Sequence, residues 1–201
     1  MLLHAFIPAS RANGPGLRAI VFFQGCTLAC PGCFNPDTHP FTGTEVAVNA
    51  VAERVARAHK EQGVEGVTFS GGEPMQQAPA LLELIQTLRQ QLPSLSFGLF
   101  SGYSDLELVL GRYLIWGGDC SEENRRRFWE EIREHLDFAV LGRFNETQPS
   151  ALPLRSSRSQ ALRLFSRRYD PKDFGPQSVE VFIDSDGRAV VTGFPILGLP
   201  C

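Results

Sequence analysis

Residues 18–33 read RAIVFFQGCTLACPGC, an apolar run of six residues that passes directly into a loop with three cysteines. The run 18–23 predicts a buried strand. Cys26, Cys30 and Cys33 follow in the spacing C-x3-C-x2-C, and they are three of the chain's five cysteines. Thiolates suit iron–sulfur clusters and zinc, and a cubane [4Fe–4S] cluster normally takes four of them. Three cysteine ligands would leave one iron open, which favours a site that performs chemistry over a structural one.

Three other uses of these cysteines remain open at this point. A structural zinc site would need a fourth ligand, such as His39, and would leave one cysteine surplus. A redox pair of the C-x-x-C kind would also leave one cysteine unused. A disulfide framework is disfavoured, because the cysteine count is odd and the start of the chain has no secretory character. Cys120 and Cys201 lie far along the chain, and we expect them to take no part in the site.

The overall composition is typical of one globular domain. The chain has 201 residues, 43% of them hydrophobic and 20% charged, with a net charge of −3 and a pI near 5.8. This balance argues against broad electrostatic binding of nucleic acid. The first residues lack the features of a signal peptide, and no stretch reaches the ~18 apolar residues that a transmembrane helix needs. We therefore expect a cytoplasmic protein that binds neither nucleic acid nor membranes.

Hydrophobic periodicity predicts strands that alternate with helices up to residue 141. Strands are expected at residues 18–23, 64–69, 95–100 and 137–141, and helices at residues 44–62, 79–92, 104–110 and 122–136. Thr42 or Thr44 is expected to cap the first helix, and Ser121 the last. The predicted fold class is α/β, a partial, open (βα) barrel, since the chain is too short for a complete barrel. A C-terminal β-hairpin over 179–183 and 188–192 is expected to finish one edge of the sheet.

A glycine turn, Ser70-Gly71-Gly72-Glu73-Pro74, ends the second predicted strand at the same end of the sheet as the cysteine loop. Ligand sites in parallel α/β folds lie at this end of the strands. Gly71 and Gly72 offer backbone that a ligand can approach closely, and Glu73 adds a carboxylate. Beside an open iron, the turn suits a small zwitterion whose α-amino and α-carboxylate groups chelate the metal. The turn alone is a weak signal, but its place on the strand after the cysteine loop makes the pair specific.

This pair of motifs resembles the radical S-adenosylmethionine (SAM) enzymes. In that family the open iron binds the methionine part of the cofactor, and one electron from the cluster cleaves it to a 5′-deoxyadenosyl radical. The flanking motifs are similar to those of glycyl-radical-enzyme activases, above all the activating enzymes of anaerobic ribonucleoside-triphosphate reductase. The motifs that carry this likeness are Asn13-Gly14-Pro15-Gly16, Cys30-Pro31-Gly32-Cys33-Phe34-Asn35, Ser101-Gly102-Tyr103, Gly142-Arg143-Phe144 and Arg155-Ser156-Ser157-Arg158-Ser159-Gln160.

The likeness covers about residues 13–160. We therefore expect a single radical SAM domain over residues 1–201, with its core at about 13–160 and a C-terminal extension at 161–201. The chain departs from the reductase activases at Glu73, where they usually have aspartate, and in an insertion at 111–123. These departures leave the cofactor chemistry unchanged and bear on the identity of the protein substrate.

The resemblance implies a set of cofactor contacts. Cys26, Cys30 and Cys33 would bind the cluster irons, and Gly71 with Gly72 would hold the amino group of SAM. The further implied contacts are Gly32, Cys33 and Phe34, with Phe34 over the adenine or cluster edge, Glu73 at the glycine turn, and Ser101 and Arg155 at the ribose and carboxylate. No catalytic acid or base is expected, because a hydrogen atom is transferred and the cofactor carries the difficult step.

The predicted function is that of an activating enzyme. It would cleave SAM reductively and generate a glycyl radical on a partner, most directly an anaerobic ribonucleoside-triphosphate reductase, with a low-potential flavodoxin or ferredoxin as electron donor. Three alternatives stay open: a radical SAM enzyme acting on a peptide or small molecule, a non-catalytic [4Fe–4S] electron carrier or sensor, and a zinc-binding module.

Overall fold

A six-stranded mixed sheet forms the centre of the structure, a computed structural model that describes residues 1–43, 45–183, 187 and 189–194. Its strands, in chain order and also in spatial order, are β1 (Leu3–Ser10), β2 (Arg18–Phe23), β3 (Gly66–Gly71), β4 (Ser96–Ser101), β5 (Phe138–Leu141) and β6 (Ala161–Leu164). The four strands from β2 to β5 are parallel, whereas β1 and β6 run antiparallel at the two edges. The predicted α/β class with a parallel sheet is thus confirmed.

Four helices connect and cover these strands: α1 (Val48–Gln62), α2 (Ala78–Gln91), α3 (Asp105–Val109) and α4 (Glu122–His135). Their apolar stripes pack on one face of the sheet and form the largest hydrophobic cluster. Val55 of α1, Leu81 of α2 and Trp129 of α4 are completely buried there, together with Phe69 and Phe97 of the sheet. Burial on this scale is the main source of stability for such a layered fold.

The strand register brings four loops to one end of the sheet. Phe23, the last residue of β2, lies opposite Gly71, the last residue of β3. Ser101 at the end of β4 lies opposite Leu141 at the end of β5. Because these strands are parallel, the loop after each of them emerges at the same edge. The cysteine loop and the glycine turn are therefore neighbours, as the sequence predicts.

The start of α1 differs from the prediction. The helix begins at Val48 rather than at residue 44, and its N-cap Ala47 is extended and has no side-chain cap. The preceding chain is held by the N-terminus instead: Glu45 forms a bridge with Leu2, and the Val46 N–H donates to the Met1 carbonyl at 2.8 Å. Thr44 lies outside the described residues, and Thr42 caps nothing in the part that is described. Ser121 does cap α4 as predicted, accepting from the Asn124 N–H at 3.2 Å.

The sheet edges also differ from the prediction. Strands β1 and β6, which the sequence analysis did not identify, occupy the two edges. The predicted hairpin strands, β7 (Val179–Ile183) and β8 (Ala189–Gly193), pair antiparallel in a separate two-stranded sheet. The expectation that this hairpin finishes an edge of the main sheet is therefore wrong. Residues 184–186 and 188 of its turn lie outside the described residues.

Arg18 links neighbouring strands at the end of the sheet opposite the loops. Its side chain is completely buried, and its guanidinium donates to Thr68 Oγ1 at 2.7 Å, Ser96 Oγ at 2.7 Å and the Val67 carbonyl at 2.8 Å. It also lies 5.1 Å from the centre of the Phe138 ring. Burial lowers the pKa of Arg18 to about 10, so it stays charged at neutral pH. One side chain thus joins the beginnings of three parallel strands.

Candidate functional site

A cavity of about 290 Å³ lies at the end of the sheet where the four loops meet. The predicted site residues that line it are Cys26, Cys30, Cys33, Phe34, Gly71, Gly72, Glu73 and Ser101. They come from the loops after β2, β3 and β4, so residues far apart in sequence share one wall. A volume of this size matches the lower range of small-molecule sites.

The cysteine loop is held in place by backbone hydrogen bonds. The N–H of Gly25 donates to the Thr38 carbonyl at 2.7 Å, and that of Cys26 donates to the His39 carbonyl at 2.9 Å. The Cys33 N–H returns to the Cys30 carbonyl at 3.2 Å, which closes the C-x2-C turn. All three cysteines are free thiols of intermediate exposure. The loop therefore presents three thiols to one cavity without a disulfide between them.

The chemistry of this donor set fits an iron–sulfur cluster. Burial raises the pKa of the Cys26 thiol to about 11 and also raises that of Cys33, so metal binding must displace protons from them. In a cubane, each thiolate binds a different iron, so cysteines around one cavity suit a cluster.

Gly71 and Gly72 allow the glycine turn to approach the cysteine loop. Gly71 has φ +99°, and a Cβ there would lie 2.6 Å from the backbone N and O of Phe23. A Cβ on Gly72 would lie 2.4 Å from the carbonyl oxygen of Gly25. The two loops are also hydrogen-bonded, since the Glu73 N–H donates to that Gly25 carbonyl at 2.9 Å. The glycines are thus required by the contact between loops, in addition to the bare backbone that they offer a ligand.

Glu73 joins the glycine turn to the turn after β4. Its carboxylate is 1% exposed and accepts from the Met75 N–H at 3.0 Å, the Ser101 hydroxyl at 2.8 Å and the Gly102 N–H at 2.7 Å. Burial raises the pKa of Glu73 to about 7, and these donors oppose the rise. Both of its oxygens, and the hydroxyl proton of Ser101, are therefore engaged within the protein. These two residues line the cavity and also brace its loops.

Two predicted contacts are not brought to the cavity. Gly32 is exposed on the outer side of the cysteine loop, where a Cβ would lie 2.2 Å from Glu146 Oε2. Arg155 is outside the cavity lining, and its buried Nε finds no hydrogen-bond partner among the described residues. The implied roles of both as cofactor contacts remain predictions. Phe34 does line the cavity, where its ring lies 4.8 Å from that of Phe144.

Several lining residues were missed by the sequence analysis. They include Asn13, Gln160, Thr192 and Phe194, and His39, which was considered only as a possible zinc ligand, lines the cavity as well. Asn13 and Gln160 lie inside motifs quoted above. Their polar amide side chains in those motifs were a signal for a place in the site. The Asn13 amide donates to Thr192 Oγ1 at 2.7 Å, and Gln160 Oε1 accepts from the Ser156 N–H at 2.9 Å. Thr192 and Phe194 come from the hairpin region, for which the local sequence gives no such signal.

Comparisons with known proteins identify a family and several relatives of this chain. The family described as "4Fe-4S single cluster domain" matches residues 12–163, more than half of the chain. The anaerobic ribonucleoside-triphosphate reductase-activating protein of Escherichia coli K12 is 30% identical over 112 residues, covering 54% of this chain and 73% of that protein. The protein of the same name from Vibrio cholerae is 27% identical over 171 residues, covering 83% of this chain and 99% of that protein.

A second group of relatives carries another name. The pyruvate formate-lyase-activating enzyme of Clostridium pasteurianum is 35% identical over 142 residues, which is 69% of this chain and 50% of that enzyme. This chain therefore spans about half the length of that relative. Among solved structures, QueE from Escherichia coli is 18% identical with a TM-score of 0.36 over 51% of this chain and 52% of that chain, a likeness too weak to support a conclusion.

Proposed function

This chain belongs to the radical SAM activases of the 4Fe-4S single cluster domain family, and we propose that it generates a glycyl radical on an anaerobic ribonucleoside-triphosphate reductase. It is an enzyme of the oxidoreductase type, and the cofactors of its family are a [4Fe–4S] cluster and SAM. The target, the electron donor and the residues that serve each step are the parts proposed here.

One observation carries the proposal: three half-buried thiols and a glycine turn line the same cavity. Cys26, Cys30 and Cys33 would bind the cluster. The backbone at Gly71 and Gly72 would hold the amino group of SAM, with Phe34 beside its adenine or the cluster edge. When bound, the reduced cluster supplies the one electron that cleaves SAM to methionine and a 5′-deoxyadenosyl radical. The protein's own part is to position the two cofactors and to keep water away from them.

Glu73 and Ser101 are proposed as positioning residues at this cavity. Their mutual hydrogen bond, 2.8 Å long, holds the glycine turn against the turn after β4. Asn13 and Gln160 join the proposed site because their side chains line the same space. Gly32 and Arg155 do not line this cavity, and their contact with the cofactor is proposed from the family resemblance alone.

The choice of target rests on how much of each relative is matched. The Vibrio cholerae reductase-activating protein is covered over 99% of its length, whereas the Clostridium pasteurianum lyase-activating enzyme is covered over 50%. The proposed partner is therefore the reductase, with pyruvate formate-lyase as the alternative target. We further propose a low-potential flavodoxin or ferredoxin as donor and a cytoplasmic location. Among the described residues, no helix combines the length and apolar character that crossing a membrane requires.

The test begins with anaerobic reconstitution of the cluster and reduction by dithionite. We expect 5′-deoxyadenosine and methionine from SAM, and a glycyl radical signal in electron paramagnetic resonance when the reductase is added. The Cys30→Ser variant should lose both the cleavage products and the radical signal, because one ligand of the cluster is changed. Cleavage without a radical on the reductase would contradict the proposed target, and a radical on pyruvate formate-lyase alone would replace it. Absence of cleavage would favour an electron carrier or sensor.

A further inference from the structure

The C-terminal hairpin has an apolar face that points away from the molecule. In the antiparallel pairing of β7 and β8, Val181 lies opposite Val191 and Ile183 lies opposite Ala189, so these side chains share one face. Val181 is 61% exposed, Ile183 67% and Val191 56%. Val179, at 44%, extends the same face. We call this set, Val179, Val181, Ile183, Ala189 and Val191, the outer hairpin face; it carries no charge and no side-chain hydrogen-bonding group.

The other face of the hairpin fixes its orientation. Phe182 and Val190 pack against the small cluster of Ile7, Ile20 and Phe22 on β1 and β2. Two polar contacts reinforce this packing at the same face. Glu180 accepts from the Arg11 N–H at 3.1 Å, and Thr192 Oγ1 accepts from Asn13 at 2.7 Å. The outer hairpin face is thus a defined surface of the fold.

An antiparallel sheet with one buried face usually carries polar side chains on the other. Here the outer face is apolar, although the inner face already buries Phe182 and Val190. A contiguous exposed apolar patch, unlike a single exposed apolar residue, is a typical feature of an interaction site. The hairpin also lies beyond residues 12–163, the part that matches the iron–sulfur domain family. This surface is therefore outside the region of the chain that the family model describes.

The outer hairpin face borders the cofactor cavity at Val191. Val191 belongs to both, and the residues that follow it, Thr192, Gly193 and Phe194, line the cavity as well. The cavity volume of about 290 Å³ is at the lower end of the range for small-molecule sites. A macromolecular substrate could place only a thin loop there, so most of its contact area must lie on the rim.

We propose that the outer hairpin face is the docking surface for the glycyl-radical partner, which would lay an extended, uncharged apolar segment against it while its target glycine enters the cavity. The inference rests on the proposed function. A second copy of this chain is a poorer occupant, because a symmetric contact through Val191 would cover the cavity mouth and exclude the substrate. The uncharged outer positions favour an apolar segment over an acidic or basic one.

The test uses reconstituted full-length enzyme with two variants of the face. Val181→Lys places a charge at its centre, and the double variant Val181→Thr with Ile183→Thr keeps β-branched side chains that suit a strand. We expect the KM for the protein partner to rise about tenfold with Val181→Lys and by a smaller factor with the double threonine variant. Cleavage of SAM without the partner should equal that of the wild type, since neither residue lines the cavity.

A matched control is Leu106→Lys on α3, where the leucine is 66% exposed on a different surface. It should leave the KM for the partner unchanged. The proposal is overturned if both face variants keep the wild-type KM, or if they lower cleavage without the partner. It is also overturned if the wild type dimerises through this face in sedimentation and the variants abolish only the dimer. Failure of the wild type to form a glycyl radical on either candidate partner would instead refute the proposed function, and the docking inference with it.

Discussion

At the scale of single residues, Glu73 is the group whose surroundings differ most from those of an ordinary carboxylate. Burial raises its pKa from the ordinary 4.5 to about 7. The folded protein therefore binds more protons than the unfolded chain between these values. This contribution to stability is fully present below pH 4.5 and is lost as the pH rises through 7. From pH 5.5 to pH 7.5, we expect the free energy of unfolding to fall by about 2 kcal/mol through this group.

The measurement is chemical denaturation of the anaerobic protein at both pH values, for the wild type and for Glu73→Gln. The glutamine does not ionise, so its variant should lack this part of the pH dependence. Glu53→Gln, which changes an exposed carboxylate of α1, should follow the wild type. A parallel pH dependence in Glu73→Gln and the wild type would contradict this account.

At the scale of elements, helix termini separate what local sequence predicts from what it does not. Ser121 has the right residue type and spacing for a cap, and the structure confirms it. Thr42 has equally suitable chemistry, but the chain near Glu45 is extended because it bridges to Leu2. The pairing of residues so far apart in sequence is invisible to a local pattern. Periodicity therefore identified α1 correctly and placed its start too early.

These two positions form a matched pair for a stability measurement. Ser121→Ala removes the hydrogen bond to the Asn124 N–H, and it should lower the free energy of unfolding by about 1 kcal/mol. Thr42→Ala should leave the free energy within about 0.5 kcal/mol of the wild type, because Thr42 is exposed and does not cap α1. Thermal or denaturant unfolding would measure both. A loss at Thr42 equal to that at Ser121 would mean that α1 starts where the sequence pattern placed it.

At the scale of the whole molecule, the sequence predicted the centre of the fold better than its borders. Apolar runs and glycine turns identified all four parallel strands and the end of the sheet that holds the site, because these signals are local. The edge strands β1 and β6 were missed, since a short half-buried strand is defined by its neighbour as much as by its own residues. For the same reason, nothing local indicated that Thr192 would meet Asn13, 179 residues earlier in the chain.

The C-terminal extension consequently has a larger structural role than the sequence suggested. After β6, the chain crosses the face of the sheet opposite the helices. There the Phe174 ring lies 5.3 Å from that of Phe138 and 6.0 Å from that of Tyr169. The Tyr169 hydroxyl donates to Ser96 Oγ at 2.8 Å, which ties the extension to the network of Arg18. The extension thus covers the second hydrophobic cluster below the sheet and supplies the hairpin beside the cavity.

If this segment is part of the core, a substitution within it must lower the free energy of unfolding as much as one in the cluster between the helices and the sheet. Phe174 is 5% exposed, so Phe174→Ala should lower the free energy of unfolding by roughly 3–5 kcal/mol, similar to Leu81→Ala in α2. Val179→Ala, at a position of the same extension that is 44% exposed, should cost less than about 1 kcal/mol. Denaturant unfolding of the three variants would decide the matter. An appendage that folds independently would instead leave Phe174→Ala close to the wild type, because the sheet would then be stable without the aromatic contacts beneath it.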